Sequence, residues 1–412
     1  MMRITGVNKT FDVDVNLVGS KSESNRLLMI GYYGGFTPCV TNLSESDDTV
    51  LLSEIINRID VKTRFIASQQ STSETIIDCQ NAGTVLRFLA TALAFRDGEW
   101  ILTGSDRMFK RPVGDLVDAL RKIGADIEYI GREGCPPLKI HGVGTRRATS
   151  DIHVNITRSS QFASSLLLAL PIVGTRRATS KIHLDGDLSS VPYIDMTIDV
   201  MRKFGIDVHR DGRDIFVQQS EYQDVEYTVE SDWTCASYWY EMAAFSENGR
   251  ARLRNLHLDS KQGDAVVAKW FEKFGVKSVQ DGNDVVITHV RMRRATSLQF
   301  DFINNPDLYP TIAATCFGLG VKGEFTGLRN LIHKESDRVA AMTTELSRVG
   351  TRRATSLQFD SHNDHRIAMA LAPLAMKIGA IEINNADVVS KSYPRFWNDF
   401  SKLSKCAEGT PY

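Results

Sequence analysis

Three stretches of the chain repeat one order of apolar and polar positions. In LVDALRKIGADIEYIGREGCPPLKIHG (116–142), apolar residues recur at helical spacing up to Ile123. Gly124 follows, then two short alternating runs on either side of a polar turn. MTIDVMRKFGIDVHRDGRDIFVQ (196–218) repeats this around Gly205 with DGRD as its turn, and VVAKWFEKFGVKSVQDGNDVVITHV (266–290) around Gly275 with DGND. Each predicts an amphipathic helix, a glycine stop in the left-handed region, a strand, a tight turn and a second strand. A fourth helix, RVAAMTTELSRVG (338–350), ends on Gly350 in the same way. The spacings of 81, 70 and 75 residues between these glycines predict a repeated unit of strands and helices.

The fourth copy breaks. After Gly350 the chain reads TRRATSLQFDSHNDHR, with no DGxD turn and no second strand. VGTRRATS occurs at 143–150, 173–180 and 349–356, and RRATSLQFD at 293–301 and 352–360. Identical strings at irregular offsets are not a structural period. Arg-Arg-Ala-Thr-Ser resembles a substrate motif of basophilic kinases, where phosphorylation adds local negative charge. We read the copies as introduced or substituted sequence in variable strand-and-loop positions and assign them no native function.

A second pattern concerns how the helices begin. GSKSESNRLL (19–28) offers Lys21, Ser22, Ser24 and Arg26 against one carboxylate, Glu23. Such a stretch gives many hydrogen bonds and accepts few, which suits an anionic ligand. NAGTVLRFLATALAF (81–95) enters an apolar helical run through Asn81 and Gly83, with Arg87 one turn in. RPVGDLVDAL (111–120) sets Arg111 before a proline at a helix start. TRSSQFASSLLLALP (157–171) places Ser159, Ser160 and Gln161 at another, and SSVPYIDM (189–196) offers Ser190 and Tyr193.

The same holds toward the C-terminus. NLIHKESDRVAAM (330–342) packs Asn330, Lys334, Glu335 and Arg338 together, and Lys334 and Arg338, four apart, are expected on one helix face. HNDHRIAMALAP (362–373) gives Asp364, His365 and Arg366, and SKSYPRFW (390–397) gives Lys391. If these starts converge, helix dipoles and basic side chains make one strongly positive cleft for a ligand with several negative charges.

Composition narrows the reading. A chain of 412 residues exceeds one ordinary core, so two domains are expected. Apolar residues at 42% and charged residues at 24% are those of a soluble globular protein. The net charge of −1 gives no support to nucleic-acid or membrane binding, so any anion site must be local. Six scattered cysteines without a CxxC pair fit a reducing compartment, and nine histidines without HExxH or a similar spacing suggest no metal site. MMRITGVNKTF lacks a signal-peptide run, and SSLLLALPIVG (164–174) is too short to span a bilayer, so a cytoplasmic protein is expected.

Read together, GSKSESNR, NAGTVLRF, RPVGDLVDAL, SSQFASSLLLALP, PYIDMT, PDLYPT, HKESDR, NDHRIAMA and KSYPRFW resemble the 5-enolpyruvylshikimate-3-phosphate synthase family, in the family's order and nearly end to end. The resemblance implies an α/β (α+β) fold of the enolpyruvyl transferase type, an inside-out α/β barrel. It has two similar domains of three βαβαββ units, residues 1–18 with 230–412 and residues 19–229, and an active site in the cleft between them. It implies transfer of the enolpyruvyl group of phosphoenolpyruvate to the 5-hydroxyl of shikimate 3-phosphate, releasing phosphate, by addition and elimination. No metal or organic cofactor, nucleic acid or membrane is implied, and a monomer is expected.

Carried over by motif, Lys21, Gly83, Arg111, Gln161, Arg338, Arg366 and Lys391 resemble the phosphoenolpyruvate contacts. Ser22, Arg26, Ser159, Ser160, Ser190, Tyr193, Asp307, Asn330 and Lys334 resemble the shikimate 3-phosphate side, with Gln161 touching both. Asn81 joins them as a substrate-binding candidate. Asp307 resembles the carboxylate that takes the hydroxyl proton, and Glu335, with Lys21, the donor to the methylene carbon. The chain departs from the family between Arg338 and Asp364, where it is shorter by over a dozen residues; a strand pair is expected to be missing from the last unit. Two rival readings stand beside this one. A sister transferase acting on UDP-N-acetylglucosamine uses a loop cysteine, and RMFKRPVG (107–114) has none. A non-catalytic polyanion binder would not need Asp307 and Glu335 among its cations.

Overall fold

The structure is a computed structural model that describes residues 1–66, 74–142, 151–173, 179–291, 295–349 and 357–408. The VGTRRATS copies lie outside these residues except for Val173, Thr179, Ser180 and Val349.

β1 (Met2–Thr5) and β2 (Thr10–Val15) open a compact unit formed by Met1–Ser20, Asn42–Asp47 and Glu230–Tyr412. The chain then builds a second compact unit from Lys21–Thr41 and Asp48–Val229. Its elements are α1 (Lys21–Gly34), β3 (Val40–Thr41), α2 (Asp47–Ile66), β4 (Thr75–Asp78), α3 (Gly83–Ala94), β5 (Gly98–Thr103), α4 (Gly114–Lys122), β6 (Asp126–Tyr129), β7 (Leu138–Gly142), β8 (Asp151–Asn155), α5 (Gln161–Ala169), β9 (Thr179–Asp185), α6 (Val191–Lys203), β10 (Val208–Asp211), β11 (Asp214–Gln218) and β12 (Tyr227–Thr228). The first unit resumes with α7 (Trp233–Phe245), β13 (Asn248–Leu253), α8 (Val267–Glu272), β14 (Val276–Asp281), β15 (Asp284–His289), β16 (Ser297–Asp301), α9 (Tyr309–Leu319), β17 (Lys322–Thr326), α10 (Arg338–Val349), β18 (Leu357–Asp360), α11 (His365–Leu371), α12 (Ala375–Ile378), β19 (Ile381–Asn384), α13 (Phe396–Phe400) and β20 (Lys405–Glu408).

The repeat read from the sequence is a βαβαββ unit. In the sheets β4-β5-β7-β6 and β8-β9-β11-β10, two parallel strands are followed by an antiparallel hairpin, with helices on the crossovers. β2-β13-β15-β14 has the same construction, although β2 precedes β13 by the whole second unit. The predicted glycine stops hold: Gly124, Gly205 and Gly275 have φ of +100°, +86° and +81°. A side chain would strain these positions, and each lets the helix end and the next strand start within a few residues.

The expected gap falls elsewhere than predicted. The unit β16-α9-β17-α10 has a two-stranded sheet among the described residues, so the shortfall after α10 belongs there. The last unit keeps four strands, β18-β19-β1-β20, because the two ends of the chain supply the antiparallel pair. The duplicated LQFD string lies in β16 and again in β18. In both copies the alternation turns the phenylalanine inward, and Phe300 and Phe359 are buried.

Burial shows why helices lie inside each unit. Sheet strands alternate buried and exposed positions, as in the pattern eBeBe of β8, so one sheet face meets water. Helices α3 and α7 are instead apolar nearly all round: every residue of α7 is buried, and every residue of α3 but Thr84. α3 packs against α5, and α5 against α6, at the middle of the second unit. In the first, α7 buries Trp233, Tyr238, Trp239, Tyr240 and Phe245, each contributing roughly 1.5–3 kcal/mol. No helix among the described residues is long and apolar enough to cross a membrane.

Candidate active site

In the first unit, four helix or turn ends bring together Asp307, Lys334, Glu335, Arg338, Asp364 and Arg366. Asp307 sits in the short turn Pro306–Leu308 that leads into α9. Its Oδ1 accepts from Lys334 Nζ at 3.2 Å and Arg338 Nη1 at 2.7 Å, and its Oδ2 from Arg366 Nη2 at 2.8 Å. Arg338, the first residue of α10, is 1% exposed. Its Nε donates to Asp364 Oδ2 at 2.8 Å and its Nη2 to Glu335 Oε2 at 2.9 Å. Asp364 caps α11 by accepting from the Arg366 amide at 3.0 Å, and it also accepts from Ser336 Oγ at 3.0 Å. Lys391, closing the turn Ala386–Lys391, brings Nζ to 3.9 Å from Glu335 Oε1.

Lys334 and Arg338 do meet, but not on one helix face as the four-residue spacing suggested. α10 starts only at Arg338, and Lys334 follows the turn Arg329–His333 in extended conformation. Asp307 is what brings them together. Asn330 lies half-buried on that same turn.

The electrostatics follow from burial. Burial alone would raise the Asp307 carboxyl, but Arg366, Lys334 and Arg338 outweigh it and hold the group well below the usual carboxylate range. Burial lowers Lys334, against the pull of Asp307. Behind Asp307 lies Asp264, accepting from Thr234 Oγ1 at 2.5 Å and Asn305 Nδ2 at 3.3 Å. Burial and then the Asp307 charge push Asp264 up to about 6.

The second unit carries the other candidates. Lys21 opens α1 and pairs with Asp48 Oδ2 at 3.2 Å. α3 starts at Gly83 with no side-chain cap, and Arg111 lies over that start, donating from Nη1 to the Asn81 carbonyl at 3.1 Å. A Cβ on Gly83 would stand 2.6 Å from Arg111 Nη2. Arg111 is extended, as a residue before proline must be, and α4 begins two residues after Pro112 rather than at it. Gln161, the first residue of α5, accepts from Arg87 Nη1 on Oε1 at 2.6 Å, donates from Nε2 to Thr84 Oγ1 at 2.8 Å, and donates from its backbone N–H to Ser159 Oγ at 3.2 Å. Ser160 and Ser190 occupy the N-cap positions of α5 and α6, Ser190 with φ of +55°.

Arg26 is placed differently from the other cations. It is 2% exposed, and its donors reach Thr197 Oγ1 (2.7 Å), the Ser22 carbonyl (2.6 Å), Ser164 Oγ (3.1 Å) and the Tyr193 carbonyl (2.9 Å). It ties two other candidates, Ser22 and Tyr193, to one buried guanidinium. Sequence reasoning left out Asp48, Thr84, Ser336 and Asp264. Arg87 reads there as a cation one turn into an apolar helix, with no ligand assigned to it. The others are ordinary polar residues that only the packing brings in.

Known proteins resemble this chain over nearly its whole length. The family described as EPSP synthase (3-phosphoshikimate 1-carboxyvinyltransferase) matches residues 7–400. A 3-phosphoshikimate 1-carboxyvinyltransferase of Bacteroides fragilis is 36% identical over 411 residues, covering 94% of each chain. One of Vibrio vulnificus is 35% identical over 432 residues, covering 97% of this chain and 98% of its own. A solved EPSP synthase structure from Acinetobacter baumannii superposes with a TM-score of 0.71 at 21% identity, covering 99% of both chains, which shows the shared two-domain inside-out α/β fold. The chain belongs to the EPSP synthase (3-phosphoshikimate 1-carboxyvinyltransferase) family.

Proposed function

We propose that this chain is the transferase its family name describes. It moves the enolpyruvyl group of phosphoenolpyruvate to the 5-hydroxyl of shikimate 3-phosphate, releasing phosphate, in aromatic amino acid biosynthesis. The observation that carries the reading is Asp307, an ionised carboxylate held among three cations with Glu335 beside them. Cations alone would serve a polyanion binder. Carboxylates among them weaken anion binding, and two set beside the same cations suit proton transfer.

Asp307 takes the proton of the attacking hydroxyl, and Glu335 gives one to the methylene carbon, with Lys21 the third residue assigned to the chemistry. Addition turns the methylene into a methyl group and forms the tetrahedral intermediate; elimination returns a proton from that methyl group to the Glu335 carboxylate, restores the double bond and breaks the C–O bond to phosphate. In the free protein Asp307 is a weak base because Arg366, Lys334 and Arg338 stabilise its charge. Phosphate and carboxylate groups of the substrates that engage those cations raise its proton affinity when it is needed.

Arg338, Arg366, Lys391, Lys21, Gly83, Arg111 and Gln161 hold phosphoenolpyruvate. Ser22, Arg26, Ser159, Ser160, Ser190, Tyr193, Asn330 and Lys334 hold shikimate 3-phosphate, and Asn81 joins them as a substrate-binding residue at the α3 entry. No organic cofactor takes part in this reading. The protein works as a cytoplasmic monomer.

Inorganic phosphate release, measured with the two substrates together and singly, tests the proposal. Release that requires both supports it. No release, or release from phosphoenolpyruvate alone, would overturn it.

A further inference from the structure

The outward face of the sheet β8-β9-β11-β10 holds two histidines side by side. β8 and β9 run parallel with His153 opposite His183 and Asn155 opposite Asp185. Side chains alternate between faces, so Ile152, Val154, Ile182 and Leu184 are in the core while His153, His183 and Asp185 share the solvent side. The two imidazole centroids are 5.0 Å apart. His153 Nδ1 lies 3.3 Å from Asp185 Oδ2, and His183 Nε2 lies 3.7 Å from Asp185 Oδ1. One donor atom from each of the three falls within 4.8 Å of the others.

Those spacings are near what an ion needs. Ligand atoms about 2.0–2.1 Å from a tetrahedral centre stand about 3.3 Å from one another. The second nitrogen of His183 is already engaged: Nδ1 lies 2.5 Å from Asp214 Oδ1 on β11. A proton held there leaves the Nε2 lone pair facing Asp185, the carboxylate–histidine pairing that orients metal-bound imidazoles. Lys181, on the same strand as His183, is held by Asp151 at 3.4 Å and lies 3.9 Å from Asp214.

We propose that His153, His183 and Asp185 bind a divalent transition ion of the zinc class, with Asp214 as the positioning residue and water completing the shell. Two imidazoles and one carboxylate suit zinc, cobalt, nickel or copper rather than magnesium or calcium. The ion would pin β8 to β9. Local spacing hides the site, because HVN at 153 and HLD at 183 are separated by a helix and meet only through parallel pairing.

The test uses the full chain, stripped with a chelator and titrated with Zn²⁺ against a chromophoric competitor. The unaltered chain is expected to bind one equivalent more than the double variant H153A/H183A. Asp214→Asn is expected to weaken that equivalent by about 10-fold or more. Both variants change exposed or half-exposed residues, and unchanged phosphate release reports that they fold. Equal binding by the chain and the double variant would place zinc elsewhere, for instance on cysteines, and overturn the proposal. So would no binding at all. An unchanged affinity in Asp214→Asn would remove Asp214 from the site.

Discussion

The guanidinium of Arg338 donates to Asp307 Oδ1 at 2.7 Å across 31 residues of chain, from a side chain that is 1% exposed. Because the same group also holds Glu335 and Asp364, one arginine joins the entry of α9, the start of α10 and the cap of α11. It is therefore both a structural hub and, in the proposed reaction, a phosphoenolpyruvate contact.

Replacing this hub should cost stability before it costs chemistry. Arg338→Met leaves Asp364, itself fully buried, without its guanidinium partner and removes one of the three cations around Asp307. Breaking a buried ion pair on one side costs about 3–5 kcal/mol. Arg338→Lys keeps the charge but loses the fork that serves three carboxylates, so its loss should be smaller. Denaturant unfolding midpoints check the order, wild type above Lys above Met; an unshifted Met midpoint would refute the hub.

Glu335→Gln separates transfer from binding. The amide keeps the shape and can still meet Arg338 less strongly, but it has no acidic proton to deliver. Turnover should fall by about 10²–10⁴-fold, the usual worth of a positioned acid or base. Binding of shikimate 3-phosphate, followed by calorimetry, should persist. An unaffected turnover rate removes Glu335 from its role.

Asp264 makes a signed prediction about pH. Its folded pKa, about 6, lies above the roughly 3.9 of an unfolded aspartate. A raised folded value means stability that is complete below pH 4 and is lost as pH rises through about 6, because the native state then keeps a proton that the unfolded chain has released. A difference of that size between the folded and unfolded carboxyl corresponds to about 3 kcal/mol. Asp264→Asn has no such titration, so the stability of wild type relative to the variant should fall between pH 4 and pH 7. Urea unfolding at those two pH values decides it; a difference that grows with pH contradicts the raised value.

What the sequence made legible was whatever is local. Gly124, Gly205 and Gly275 end their helices, and the DG turns join β10 to β11 and β14 to β15, because a backbone requirement fixes residue type within a few positions. The helix starts that gather cations were legible for the same reason. What failed was non-local. The closing of the last sheet by β1 and β20, the placement of the missing strand pair beside β17, and the meeting of Lys334 with Arg338 at Asp307 each depend on pairings far apart in sequence. Asp48 and Asp264 had no signal, since a single aspartate looks alike whether it faces water or a buried lysine. The partners of the Arg26 guanidinium, Ser22, Ser164, Tyr193 and Thr197, were not legible either, since three of them come from distant helices.

Gly83 tests the α3 entry. A methyl group there would lie 2.6 Å from Arg111 Nη2 and 2.7 Å from Cζ, closer than carbon and these atoms can stand. The guanidinium is the far end of a flexible side chain, so it moves aside and the helix itself remains. Alanine is the best helix former, and glycine at this first position has no positive φ to defend. Stability should therefore change little in Gly83→Ala, while Arg111 loses its place over the uncapped amides of α3. With Arg111 assigned to phosphoenolpyruvate, KM for that substrate should rise by about tenfold, equivalent to about 1.4 kcal/mol, the scale of one charge-assisted hydrogen bond. The KM for shikimate 3-phosphate should stay close to its original value. Steady-state kinetics with each substrate varied in turn checks the split. A loss shared equally by both substrates would mean that Gly83 supports the unit as a whole and that Arg111 is not aimed at phosphoenolpyruvate.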